Sequence, residues 1–106
     1  NRRINWLIGL EYKTTSDQLK NIKDQIESFV KGNKDFSSSG DTFLSVKIDQ
    51  FAASSIDIRL ICFTETTNYL EWMNVKDILA IQIKAIVEKN NASFAFPSTS
   101  IYVEKN

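Results

Sequence analysis

The stretch FLSVKIDQFAASSIDIRLICF, residues 43–63, decides the fold. Its first half places Leu44, Val46 and Ile48 on one side and Ser45, Lys47 and Asp49 on the other. That period of two marks a half-buried strand, because successive side chains leave opposite faces of a pleated backbone. The second half repeats it, with Ile56, Ile58, Leu60 and Cys62 set against Asp57, Arg59, Ile61 and Phe63. Only Ala52-Ala53-Ser54-Ser55 separates the two halves, so an antiparallel hairpin is the simplest connection.

Upstream, residues 4–12 alternate Ile4, Trp6, Ile8, Leu10 and Tyr12 with Asn5, Leu7, Gly9 and Glu11, a first strand. Thr15 followed three places later by Gln18 fits a capping box. The helix that starts there carries Leu19, Ile22, Ile26, Phe29 and Val30 as one apolar stripe and ends at Gly32. Residues 33–41, including Phe36-Ser37-Ser38-Ser39-Gly40, have no regular period and read as a polar surface connection, the most mobile internal segment. Beyond the hairpin, Asn68 with Glu71 is a second capping-box pair. A long helix then runs to about Lys89, with Trp72, Val75, Leu79, Ile83, Ile86 and Val87 on its main face. Asn90-Asn91-Ala92 breaks it, and Phe94-Ala95-Phe96-Pro97 cannot continue it, because proline holds its predecessor in extended geometry. Residues 100–103 read as a last strand. The order predicts an α+β domain, a ferredoxin-like β-α-β-β-α-β sandwich in which two helices cover one face of a four-stranded antiparallel sheet.

At 106 residues the chain has room for one core. Lys+Arg and Asp+Glu are 13 each, so the net charge is zero. No global field then attracts nucleic acid or an anionic membrane. Histidine is absent and Cys62 is the only cysteine, which removes disulfides, His- or Cys-rich metal sites and most nucleophile triads. No cofactor is expected. No run approaches the ~20 apolar residues of a membrane span. The chain opens on Asn1-Arg2-Arg3 and its one methionine is Met73, so a piece of a longer protein is expected, with a trimmed signal peptide as the alternative.

The strongest candidates for chemistry are Lys47, Asp49, Asp57 and Arg59, which the hairpin gathers on the sheet face away from the helices. Such a group binds a phosphate or shuttles a proton in other settings; the plainer reading is cross-strand charge pairing on a solvated face. Cys62 shares the core side with Ile56, Ile58 and Leu60, so it reads as a small buried hydrophobe. An RNA-recognition surface is disfavoured, because residues 55–63 lack the basic-Gly-aromatic signature and put Asp57 in mid-strand. The second helix carries apolar residues off its main stripe. At about 100° per residue, Leu70 and Ile81 point almost opposite to Trp72 and Leu79. Isolated exposed Leu or Ile is ordinary; the sharper alternative is a partner surface to which Ile78 and Ala85 also contribute.

Two segments then resemble the cytoplasmic C-terminal α/β domain of the small-conductance mechanosensitive channel (MscS) family: the hairpin of residues 48–58, with its link of small residues and serines, and residues 93–98, with the aromatic-Pro turn of Phe94, Phe96 and Pro97. Arg3-Ile4 entering the first strand, the polar run at 12–18 and the apolar helix at 72–87 fit as well, while Ala95 stands where many members carry proline. The resemblance implies one domain, residues 1–106, at the cytoplasmic end of a longer inner-membrane protein whose transmembrane helices and middle β domain are not in this chain. It implies a homo-oligomer, commonly a heptamer, forming a hollow cage through which solutes reach a pore that opens under membrane tension in hypoosmotic shock. It implies no enzyme activity and no nucleic-acid partner. Within it, Leu70, Ile78, Ile81 and Ala85 are candidate intersubunit packing residues and Lys47, Asp49, Asp57 and Arg59 candidate vestibule-facing charges. The isolated domain is expected to be monomeric or weakly associating. The rival from another class is a small ferredoxin-like ligand-binding or regulatory domain.

Overall fold

The computed structural model describes residues 1–37 and 43–95. Phe96, Pro97 and the strand expected at residues 100–103 lie outside the described residues. The element order is β1 (Arg3–Leu10), α1 (Ser16–Lys31), β2 (Ser45–Phe51), β3 (Ile56–Phe63) and α2 (Tyr69–Lys89). The described strands form an antiparallel sheet in the order β1-β3-β2. Its centre, β3, is the most apolar of the described strands, flanked by a strand on each side and covered by the helices on one face. Ile4 lies opposite Cys62, Trp6 opposite Leu60, Ile8 opposite Ile58 and Leu10 opposite Ile56. The even-numbered residues therefore meet across the strands on one face, and both helices bury their apolar stripes against that face in one core.

The first capping box forms as the sequence requires. The Thr15 hydroxyl accepts from the Gln18 backbone N–H at 3.2 Å, and the Gln18 side chain accepts from the Thr15 N–H at 2.8 Å. The same Gln18 amide donates to the Asn90 carbonyl at 2.8 Å, tying the start of α1 to the end of α2. At α2 the N-cap forms, Asn68 Oδ1 accepting from the Glu71 N–H at 3.0 Å, but the reciprocal half does not. Thr66 intervenes: its hydroxyl accepts from the Asn68 N–H at 3.0 Å and donates to the Glu71 carboxylate. The far end of α2 closes in a Schellman motif. Ala92 N–H bonds the Val87 carbonyl at 3.1 Å and Asn91 N–H bonds Glu88 at 3.0 Å, while Asn91 takes the positive φ of 61° that asparagine tolerates better than most residues.

Three expectations are corrected. The first strand ends at Leu10, not Tyr12, because a turn begins where Thr14 N–H bonds the Glu11 carbonyl at 3.0 Å. Residues 33–37 are more than a surface connection. Phe36 is buried, meets Phe29 edge-on at 6.4 Å between ring centroids, and bridges to Thr64 beyond β3; an apolar ring among serines was the residue that the loop had to bury. Finally, β2 contributes less core than its alternation suggested. Val46 is buried, whereas Leu44 is half-buried and Ile48 is exposed.

Candidate functional site

Two surfaces carry the candidate residues. On the sheet face away from the helices, Lys47 lies directly across from Arg59. The Arg59 guanidinium lies 3.5 Å from Asp49 Oδ1 and donates to Asn5 Oδ1 at 2.8 Å. Lys47, Asp49 and Arg59 are therefore brought together at a partly exposed, mixed-sign patch, where an ion pair contributes little to stability.

Asp57 does not belong to that solvated patch, and its assignment as a solvent-facing charge is corrected. It is 5% exposed. The cause is a β-bulge: Ile48 pairs with Ile58 and Gln50, not Asp49, pairs with Asp57. A regular register would have set Asp49 directly opposite Asp57, carboxylate against carboxylate, which is destabilising. The extra residue frees Asp49 to reach Arg59 and supplies Asp57 with an amide, Gln50 Nε2 donating to its Oδ2 at 3.2 Å. The Ser55 hydroxyl donates to Oδ1 at 2.6 Å. On the other flank β1 presents Gly9, where an added Cβ would stand 3.3 Å from the same Oδ1. The pocket is a structural cradle for one carboxylate, with two donors already engaged.

Cys62 behaves as its position in the alternation required. It is buried, and loss of hydration pushes its thiol up from 9.0 to about 12, away from the thiolate that reactivity needs. No group of His, Cys, Asp and Glu that could hold a metal exists among the described residues. Among those residues no helix is long and apolar enough to cross a membrane.

The second surface is the outer face of α2. Leu70 is 72% exposed, Ile78 51% and Ile81 64%; Ala85 is exposed beside them. Leu79, between Ile78 and Ile81 in sequence, is wholly buried. The helix is thus apolar on two opposed faces. Trp72, expected in the core, is only half-buried, and it stacks under two cations, Lys76 Nζ at 4.1 Å and the Arg2 guanidinium at 5.2 Å from its ring centre. A cleft of about 520 Å³ opens beside Ile78, walled by Asp35, Glu65 and Glu71. Sequence reading missed those acids because they come from three separate segments. It also missed Tyr12 and Phe51, whose exposure depends on where β1 ends and where the bulge falls.

These features define an α+β domain with a small antiparallel sheet, an open sheet face of paired charges and, among the described residues, an exposed apolar helix ridge. The profile described as "Mechanosensitive ion channel MscS, C-terminal" matches residues 4–94, and the chain belongs to that family. It is 38% identical to an uncharacterized MscS family protein of Helicobacter pylori over 97% of this chain and 21% of that protein. It is 36% identical to the low conductance mechanosensitive channel YnaI of Escherichia coli, over 98% of this chain and 29% of that protein. The chain thus spans between a fifth and a third of the length of these relatives. The crystal structure of Helicobacter pylori MscS in its closed state shares the fold, with a TM-score of 0.65 and 21% identity over 92% of this chain and 36% of that one. The family is one of ion channels and not of enzymes, which favours the channel reading over a free-standing ligand-binding domain.

Proposed function

We propose that the chain is the cytoplasmic vestibule domain of a mechanosensitive channel of the inner membrane, a channel that opens under tension and releases ions and small solutes in hypoosmotic shock. Residues 1–106 form one domain of that longer subunit. They contribute assembly and solute access, and the pore lies elsewhere in the polypeptide. The observation that carries this reading is the match to the MscS C-terminal domain along nearly the whole chain. The structure adds support of a physical kind: an exposed apolar ridge suited to lateral packing at Leu70, Ile78, Ile81 and Ala85, and a mixed-sign hydrophilic patch at Lys47, Asp49 and Arg59 suited to a solvated wall. The subunits assemble as a homo-oligomer, a heptamer, while the isolated domain is monomeric or weakly associating.

A four-stranded ferredoxin-like sandwich is part of the same reading. Glu11 N–H bonds the Ser93 carbonyl at 3.1 Å, Ala95 N–H bonds Gly9 at 3.0 Å, and Leu10 bridges Phe94 in the antiparallel sense. Residues 93–95 run beside β1, which supports the reading of a fourth strand beside β1 in the order 4-1-3-2. Expression of the complete subunit in cells lacking their own tension-gated channels tests the function. Survival of osmotic downshock and tension-activated currents in membrane patches are expected; a complete, membrane-inserted subunit that gives neither overturns the reading.

A further inference from the structure

We propose that the phenyl ring of Phe96 fills the groove between β1 and α2 that Trp6, Ile8, Ala80, Ile83 and Phe94 line, and that Pro97 ends the pairing with β1 one residue later. The proposal rests on the four-stranded reading above. It deepens that reading by naming the side chain that seals the edge of the sheet and the residue that stops the added strand.

The groove measures about 430 Å³ and its lining is apolar apart from Asn5. A cavity of about 150 Å³ already admits a benzene ring, so there is room for a large side chain. The lining is also incompletely covered. Trp6 and Phe94 pack on the core but are only half-buried, and Ala80 is exposed although Ile83, on the same side of α2, is buried. An apolar opening beside a strand edge is a place where further chain adds.

Continuity of the chain names the occupant. Leu10 bridges Phe94 in the antiparallel sense, with Glu11 N–H on the Ser93 carbonyl at 3.1 Å and Ala95 N–H on the Gly9 carbonyl at 3.0 Å. Continued in the same register, Phe96 stands opposite Ile8 and Pro97 opposite Leu7. Side chains two apart on a strand share a face, so Phe96 takes the side of Phe94, where Ile8 is buried in the core. Ile8 and Phe94, the neighbours that the register assigns to Phe96, both line the groove. Pro97 then decides where pairing stops. Ala95 directs its N–H at β1, and the next residue to do so by alternation is residue 97, which as proline has none to give the Leu7 carbonyl. Pairing therefore ends at Phe96. A side chain from residues 98–106 reaches the groove only by turning back past Pro97, whereas Phe96 falls into it with no change of direction.

Trp6 lines the groove and reports on its occupant. The 106-residue chain encloses its own core, and in a Trp72→Phe background Trp6 is its only tryptophan. Emission wavelength and quenching by acrylamide are measured, with far-UV circular dichroism as the check on folding. A chain ending at Pro97 is expected to shield Trp6 as the 106-residue chain does. A chain ending at Ala95, and Phe96→Ala in the 106-residue chain, are expected to shift its emission to the red and to raise quenching. Phe96→Leu should recover part of the shielding, and it replaces Phe96→Ala if that variant fails to fold. Trp6 exposed in the chain ending at Pro97 but shielded in the 106-residue chain would overturn the proposal by placing the occupant in residues 98–106. So would a Trp6 unmoved by Phe96→Ala while the Ala95 amide exchanges slowly with solvent, an outcome that leaves the four-stranded reading standing. Fast exchange at Ala95 in the parent chain would refute that reading and this proposal together.

Discussion

Leu79 and Ile81 stand two residues apart on α2 and should respond to substitution in opposite ways. Leu79 has no exposed surface and Ile81 is 64% exposed. Replacing Leu79 by Ala removes buried methyl groups and leaves a cavity, costing the isolated domain about 2–5 kcal/mol. For a domain of this size that lowers the melting temperature by roughly 10 to 30 °C. Ile81→Asp changes no core contact and should move stability by no more than about 0.5 kcal/mol. Assembly reverses the ranking. Full burial of an isoleucine is worth about 1.5–3 kcal/mol, and the exposed share of Ile81 accounts for about 1–2 kcal/mol of it in each contact. An aspartate carried into the same dry contact adds a desolvation penalty of about 2 kcal/mol or more. The swing of roughly 3 kcal/mol per contact weakens association by about two orders of magnitude. Urea denaturation of the 106-residue chain and light scattering of the complete subunit measure the two effects separately. If Ile81→Asp destabilises the isolated domain as much as Leu79→Ala, the outer face is part of the core; if the oligomer survives it intact, the packing role fails.

Asp57→Ala should cost about 1–3 kcal/mol in chemical denaturation, because it strands the Ser55 hydroxyl and the Gln50 amide; a change below 0.5 kcal/mol would mean that the cradle contributes nothing. Gln18→Ala should cost more than Thr15→Ala, itself about 1 kcal/mol, since Gln18 also holds the Asn90 carbonyl at the end of α2; equal losses would place the whole effect in the cap. Cys62 gives a pH dependence of definite sign. The native thiol stays protonated to about 12 while the unfolded chain ionises near 9.0. Below pH 9 the group leaves stability unchanged, and from pH 9 to about 12 stability falls as the unfolded state loses its proton first. Denaturation curves of Cys62→Ala should lack that component, and the difference from the parent chain isolates it from Tyr and Lys titration.

Much of the architecture was legible because local patterns and tertiary packing agree. The alternation at residues 43–63 and 4–10 places the same even-numbered residues in the core that the strand register does. The capping pair Thr15 and Gln18 works over three residues, with nothing distant required. The off-stripe angles of Leu70, Ile78 and Ile81 follow from helix geometry alone, and those residues are exposed. Where reading failed, a long-range partner decided. Phe36 looked like part of a serine loop because its neighbours in space, Phe29 and Thr64, are remote in sequence. Asp57 looked solvated because alternation assigns a face and says nothing of what covers it.

By itself the sequence determined the order of the five described elements, the apolar stripe that packs each helix on the sheet, the absence of histidine and disulfide chemistry, and the family resemblance that the profile match bears out. Those properties are local or compositional: period, caps and residue types. Only the tertiary structure decided the bulge at Asp49, and the bulge settled more than one local detail. It exchanged a carboxylate pair for an amide and a buried aspartate, and it turned Phe51 to the apolar side of the sheet. A one-residue slip in pairing leaves no mark on the pattern of a single strand. Its cost and its benefit appear only when the opposing strand, with its own charges, is in place.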